Sequence, residues 1–183
     1  DLFMYCTMGR RDELQAGLAG LNNDYYQRML SEIREIAQFA DQNNWYGIGH
    51  PEHHLQVEGF EASNDLGLMA SWIANATERL RVISCGYVSI THNPLRVAEQ
   101  IATLDHMTGG RLGFGIVRGY QHRWVEQLKI RPELAAVGHW NKDTEIDALN
   151  RRFFEEFVEV VLLALTSNTF SYEGEFWKFP NDN

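Results

Sequence analysis

Three histidines and a glutamate lie close together early in the chain, in the run Gly49-His50-Pro51-Glu52-His53-His54. An imidazole changes charge near neutral pH, so it is well suited to accept and donate protons there. The adjacent carboxylate of Glu52 can fix the tautomer of a histidine or favour its charged form. The run follows a short apolar stretch, and parallel α/β proteins place catalytic groups at the C-terminal ends of strands. It therefore predicts a proton-transfer site.

Two other interpretations of this run remain open. His50 and His54 have the i, i+4 spacing of a zinc-binding helix, which would suit a metal-dependent hydrolase. Pro51 and the strand before it disfavour a helix there, so we expect no metal site. The other alternative is a solvent-exposed polar loop.

The segment Thr108–Gly119 is rich in glycine and ends on an Arg-Gly pair. Arg118 falls just past a predicted strand, where a guanidinium can bind a phosphate through two N–H groups. A structural ion pair is the alternative. The run Gly113-Phe114-Gly115 lacks the third glycine of a dinucleotide-binding fingerprint and lies inside the strand. Its glycines therefore indicate close packing of the backbone.

Cys85 and Gly86 lie in the middle of another predicted strand. A glycine weakens a strand unless a backbone or a ligand must come close to it. No histidine partner is evident for Cys85, so we expect a small buried thiol rather than a nucleophile.

Short β-type runs alternate with longer helical ones, which predicts βα units and a parallel sheet. Residues 9–23 and 121–143 are predicted to be irregular, the latter with a possible short helix. The predicted strands cover residues 2–8, 45–49, 80–90 and 111–117. The predicted helices cover about residues 23–43, 65–76, 94–108 and 145–165, and residues 170–179 alternate as a hairpin would.

Composition excludes several classes of protein. With 44% apolar and 12% aromatic residues, the 183-residue chain is globular rather than disordered, and we expect one domain over 1–183. Its 16 Lys and Arg against 25 Asp and Glu give a net charge of −9, which repels nucleic acid. No apolar run reaches the roughly 18 residues of a membrane span, and no signal peptide is visible. Two cysteines make no disulfide framework, so we expect a cytoplasmic enzyme.

Three segments together resemble the flavin-dependent luciferase-like monooxygenases, the superfamily of bacterial luciferase. They are Glu52-His53-His54, then Leu80–Val88 with the following His92-Asn93-Pro94, and Leu104–Gly119, which is the most specific. The likeness spans about residues 1–180. It implies a TIM (β/α)8 barrel, of which this chain covers about the first four βα units, since a whole barrel needs about 250 residues.

The resemblance also implies roles for the histidine run. His53 is the candidate acid/base, and Glu52 and His54 support it or line the pocket. Four aromatic residues are candidates for walls near the flavin, although each could instead belong to the core: Phe3, Tyr5, Trp45 and Tyr46.

Cofactor-binding roles follow from the same likeness. Arg118 would contact the flavin phosphate and Tyr120 would lie close to the flavin. Cys85 and Gly86 match a non-prolyl cis peptide that the family often has beneath the flavin ring. We expect the imidazole of His53 and the guanidinium of Arg118 to serve one flavin.

The implied activity is oxidation of a small organic substrate with reduced FMN and O2. A separate flavin reductase would supply the reduced FMN, because no nicotinamide fingerprint is visible, and a homo- or heterodimer is expected. One alternative is a deazaflavin-dependent oxidoreductase of the same superfamily, from which Glu52-His53-His54 leads us to favour FMN. The other alternative is a non-catalytic flavin-binding or partner subunit.

The resemblance also implies that this chain is shorter than a complete member of the family. The family's second half supplies strands five to eight, and half a barrel exposes unpaired strand edges. We therefore expect this sequence to be part of a longer protein, or the other half to lie in another chain. A single, stable monomeric species with the mass of this chain would contradict that expectation.

Overall fold

Residues 1–180 are described by the computed structural model, and they form parallel βα units followed by a small hairpin. A four-stranded sheet has the order β1-β2-β3-β4, and β5 pairs with β6 in an antiparallel ribbon. Strand β2 is parallel to both β1 and β3, and His50 on β2 lies opposite Ser84 on β3. The strands are β1 Leu2–Phe3, β2 Gly47–His50, β3 Arg81–Val88, β4 Leu112–Val117, β5 Tyr172–Glu173 and β6 Lys178–Phe179.

Six α-helices and three short 3-10 turns connect these strands within the described residues. The 3-10 turns lie at Ala19–Leu21, Ser89–Thr91 and His139–Asn141. The helices are α1 Arg11–Gln15, α2 Asn23–Gln42, α3 Leu66–Ala74, α4 Pro94–Thr108, α5 His122–Leu128 and α6 Glu145–Thr166. Of the helices in residues 1–180, not one combines the length and the apolar character needed to cross a membrane.

The chain forms two compact units. The first contains Asp1–Gly86 and Thr103–Gly115, and the second contains Tyr87–Ala102 and the chain from Ile116 onward. That both belong to one domain over 1–183 stays a prediction.

Capping and periodicity explain the helices of the first unit. The side chain of Asn22 accepts the N–H groups of Asp24 and Tyr25, so α2 starts at Asn23, close to the predicted boundary. Asp65 accepts the N–H of Leu68 at the start of α3. The inner face of α2 then buries side chains three and four residues apart, in agreement with the sequence pattern: Met29, Ile33, Ala37 and Ala40.

Two polar residues of the first unit join its helices to its sheet. The carboxylate of Asp41, at the end of α2, accepts the N–H groups of residues 78–80 just before β3. The guanidinium of Arg111, just before β4, donates to Thr77 Oγ1 and to the carbonyl oxygen of Leu80. These bonds fix where β3 and β4 begin.

The second unit has its own core, built on α5 and α6. Trp124, Phe153 and Phe157 are almost completely buried. The buried carboxylate of Glu156 accepts the backbone N–H groups of residues 175–177, which anchors the hairpin to α6. The predicted hairpin is confirmed.

Several predicted boundaries are wrong. Only Leu2–Phe3 of the predicted strand 2–8 pairs as a strand, although Met4, Cys6 and Met8 beyond it still alternate into the core. The predicted loop 9–23 contains α1, and β2 starts two residues later than predicted and includes His50. Hydrogen-bond partners set these limits, and apolar periodicity does not show where pairing stops.

Candidate functional site

The loop after β2 carries the predicted acid/base group and folds back on itself. The N–H of His53 donates to the carbonyl oxygen of Ser63 at 2.8 Å, and the N–H of Ala62 donates to the carbonyl oxygen of Cys6 at 2.6 Å. The first bond brings two distant parts of the loop together, and the second joins the loop to the segment that follows β1.

His53 is paired with an acid that the sequence analysis did not identify. Its Nδ1 lies 2.6 Å from Oε2 of Glu61, and the two side chains are 8% and 12% exposed. Burial lowers the pKa of His53, and the Glu61 carboxylate only partly offsets that effect. The imidazole is therefore held next to an anion and mainly neutral at pH 7.

Glu52 pairs with the other histidine of the motif. Its Oε1 lies 2.9 Å from Nε2 of His54, and the Glu52 side chain is buried. Glu52 and His53 are both buried, so the alternative of a solvent-exposed polar loop is wrong. His53 and His54 therefore have different acid partners, Glu61 and Glu52 respectively.

His50 ends β2 and is completely buried. Its Nδ1 lies 3.5 Å from Oγ of Ser63, while its Nε2 has no hydrogen-bond partner within the described structure. Burial lowers the pKa of His50 to about 4. Within residues 1–180, no three His, Cys, Asp or Glu side chains are arranged to hold a metal ion.

A small cavity of about 140 Å³ opens beside His53 in the first unit. Its wall includes Tyr26 from α2 and Gln56, Ala62 and Asn64 from the loop. A buried imidazole at the wall of a small cavity can exchange a proton with a molecule that enters it.

Arg118 lies just past β4 in the second unit, as predicted, and takes part in an ion pair. Its Nη1 donates to Oδ1 of Asp147 at 2.6 Å, while Arg151 holds Oδ2 at 3.0 Å. The N–H of Asp143 and the two guanidiniums lower the pKa of Asp147 to about 2, so this carboxylate is ionised at pH 7. The structural ion pair considered for Arg118 is therefore present.

The same guanidinium lines an open cavity of about 320 Å³ in the second unit. The cavity is also lined by Tyr120, Trp140 and Lys142. The Trp140 ring packs closely on Gly138, where an added Cβ would collide with the ring. Arg118 has further N–H donors beyond the one that Asp147 accepts. The cavity thus combines two cations with aromatic surface.

Cys85 and Gly86 differ from each other in exposure. The bond between them is cis, as the resemblance implied. Cys85 is exposed, so the prediction of a buried thiol is wrong, whereas Gly86 is buried. A Cβ on Gly113 would lie 3.3 Å from the Ile83 side chain, which agrees with the predicted close packing inside β4.

The four aromatic residues proposed as flavin walls lie on the surface of the first unit. They are 41–64% exposed, so the alternative that they belong to the core is wrong: Phe3, Tyr5, Trp45 and Tyr46.

Three functional candidates were missed by sequence reasoning: Glu61, Asp147 and Lys142. Glu61 lies in a loop without periodicity, and no sequence signal distinguishes it from Glu58. Asp147 follows the N-cap Thr144 in the first turn of α6, which indicates an ordinary helix-start acid.

The fold places the chain in the TIM-barrel class, with about the first four βα units. A monooxygenase, RslO1 from Streptomyces bottropensis, superposes with a TM-score of 0.73 at 20% identity, over 98% of this chain and 47% of that one. The chain belongs to the luciferase-like monooxygenase family, whose family model matches residues 4–182.

Curated relatives agree with this membership. An uncharacterised protein, y4wF of Sinorhizobium fredii, is 30% identical over 84% of this chain and 40% of its own length. An FMNH2-dependent dimethylsulfone monooxygenase of Pseudomonas putida is 29% identical over 80% of this chain and 37% of its own length. The chain thus spans about two fifths of the length of these relatives.

Proposed function

We propose that the protein is a flavin-dependent monooxygenase that uses reduced FMN and O2 to oxidise a small organic substrate. The observation that carries the proposal is the buried, carboxylate-paired imidazole of His53 beside a cavity, in a member of this family. A separate flavin reductase would supply the reduced FMN, and a homo- or heterodimer remains proposed.

The donor set of the second unit suits a phosphorylated aromatic cofactor. Arg118 and Lys142 are cations on one cavity wall, and Asp147 is the carboxylate among them, itself also held by Arg151. A pair of cations at one cavity can hold a phosphate dianion through charge-assisted hydrogen bonds. Arg118 and Lys142 would hold the phosphate, and Tyr120 would contact the flavin.

Asp147 would orient Arg118 and still leave N–H donors of the guanidinium available for the phosphate. It engages one N–H of the guanidinium, and the planar fork keeps other donors in a fixed plane. An ionised Asp147 therefore restricts the rotamer of Arg118 before the cofactor arrives, which reduces the entropy lost on binding.

His53 would move the proton. Because burial keeps its pKa low, the neutral imidazole can accept a proton and return it later in the cycle. Reduced FMN supplies, when bound, the electrons that activate O2. The surrounding protein provides the partly buried site in which the proton transfer occurs. That His53 and Arg118 serve one flavin, with Cys85 and Gly86 beneath its ring, stays a prediction.

Oxygen consumption with reduced FMN tests the proposal. We expect substrate-dependent O2 uptake and an oxygenated product, and a loss of about 10²–10⁴-fold in turnover for His53→Ala. His106→Ala, which changes an exposed histidine of α4, is the matched control and should leave turnover unchanged. Unchanged turnover in His53→Ala would remove that residue from the mechanism.

Cofactor binding is measured separately. Arg118→Ala should weaken FMN binding by at least about tenfold, because a charge-assisted hydrogen bond contributes about 1.5–3 kcal/mol. Arg96→Ala, at an exposed arginine of α4, is the control. Hydride transfer from a reduced deazaflavin with no O2 uptake would favour the deazaflavin-dependent alternative. Flavin binding without turnover would favour the non-catalytic subunit.

A further inference from the structure

We propose that Glu61 is a positioning residue for His53, holding the Nδ1 proton of the imidazole so that proton exchange in the reaction occurs at Nε2. This inference rests on the proposed function of His53. It assigns to Glu61 a role that the Glu52-His53-His54 motif does not reveal.

The short contact between His53 and Glu61 indicates which ring nitrogen carries the proton. Nδ1 of His53 lies 2.6 Å from Oε2 of Glu61, which is an ion-pair distance between an imidazole and a carboxylate. An ionised carboxylate can only accept a hydrogen bond, so this contact favours the neutral tautomer that carries its proton on Nδ1. The lone pair of that tautomer is on Nε2. A carboxylate at the second nitrogen also stabilises the imidazolium that forms when Nε2 accepts a proton.

The backbone of the loop holds Glu61 in this position. Glu61 has a φ of 58°, in the left-handed region that a side chain with a Cβ rarely adopts. Its neighbours fix that conformation: Ala62 N–H donates to Cys6, and the carbonyl oxygen of Ser63 accepts the N–H of His53. Unfavourable backbone conformations persist where the surrounding bonds determine them, and they concentrate at functional sites.

Glu52, the acid within the motif, pairs with His54 and not with His53. Glu52 lies against His54, and its carboxylate acts on His53 only at longer range. The titratable groups that face His53 are thus Glu61, Glu52 and His54 from its own loop, and Tyr26 from α2 across the cavity. Of these, Glu61 is the carboxylate in direct contact with the ring.

The contact with Glu61 determines how the pKa of His53 should change in a Glu61 variant. Glu61 raises the pKa of His53 against the lowering effect of burial. Glu61→Gln preserves the shape of the side chain and removes its charge, so the pKa of His53 should fall further. A weaker base then accepts a proton less readily, and the acid limb of the turnover profile moves to lower pH.

Nitrogen NMR of the purified protein tests the pairing without any cofactor. The ring nitrogens of His53, assigned with His53→Ala, are followed through a pH titration. In the wild type we expect the Nδ1–H tautomer. In Glu61→Gln we expect the His53 titration to shift down by about one pH unit or more, since a contacting opposite charge typically moves a pKa by about 1–3 units. Glu61→Asp retains the charge and should shift it less.

Turnover with reduced FMN supplies the second readout. Partners that orient metal-bound histidines typically contribute about 10–100-fold to activity, and by analogy we expect Glu61→Gln to lower kcat by a similar factor with FMN binding unchanged. Glu35→Gln, at an exposed acid of α2, is the matched control and should behave as the wild type.

The two possible failures are distinguishable. An identical His53 titration in wild type and Glu61→Gln overturns the role of Glu61, whatever the activity. A shifted titration in a protein whose wild type shows no turnover with reduced FMN and O2 overturns the proposed function and leaves the pairing intact. A shifted titration with unchanged kcat shows a structural pair and also overturns the proposal.

Discussion

Mild acid should destabilise the protein through His50. This side chain is completely buried, and burial lowers its pKa from an ordinary 6.5 to about 4. The unfolded chain therefore binds the proton more readily than the folded one. The stability contributed by neutral His50 is fully present above about pH 6.5 and is lost as the pH falls from 6.5 toward 4.

The size of the effect follows from the same two values. At about 1.4 kcal/mol per pH unit, the interval between 6.5 and about 4 corresponds to about 3 kcal/mol of unfolding free energy. That is a large fraction of the roughly 5–15 kcal/mol by which a typical domain is stable. The loss should therefore be readily visible in a urea titration.

The assay is urea unfolding at several pH values between 7 and 4, compared between variants. His50→Gln keeps a polar side chain and removes the titrating ring. Its stability should therefore depend less on pH than that of the wild type, by about 3 kcal/mol across the interval. His106→Gln, at an exposed histidine, should retain the full pH dependence. Equal pH dependence in the wild type and His50→Gln would refute the reasoning.

Three further predictions concern stability and thiol chemistry. A thiol reagent should modify exposed Cys85 much faster than Cys6, because burial raises the pKa of Cys6 to about 11; equal rates would contradict this. Asn22→Ala should lower the unfolding free energy by about 1 kcal/mol through loss of the α2 cap, measured by urea unfolding. Glu156→Ala should cost about 3 kcal/mol or more, because the N–H groups of 175–177 lose their acceptor, and hydrogen exchange there should accelerate.

Helices were the most predictable part of the fold. The helix predicted over about 23–43 is α2, because its buried side chains recur within one or two helical turns of each other. The hairpin over 170–179 follows from strict alternation around a turn. The short pairing of β1 was not predictable, because apolar alternation continues to Met8 beyond the last paired residue.

The candidate site was predicted in part. His53 and Arg118 were identified from motifs, and each lies at the wall of a cavity. Cys85 was misjudged because the middle of a strand usually implies burial, whereas exposure depends on what the rest of the fold places over that position.

The sequence by itself determined the βα order, the capped helices, the hairpin and the family. These depend on local periodicity, on hydrogen bonds between near neighbours and on motifs read in order. Only the tertiary structure decided that Glu61 pairs with His53 and that Asp147 pairs with Arg118. An ion pair between residues far apart in sequence depends on the path of the intervening chain, and that path is set by backbone hydrogen bonds that leave no periodic pattern in the residues.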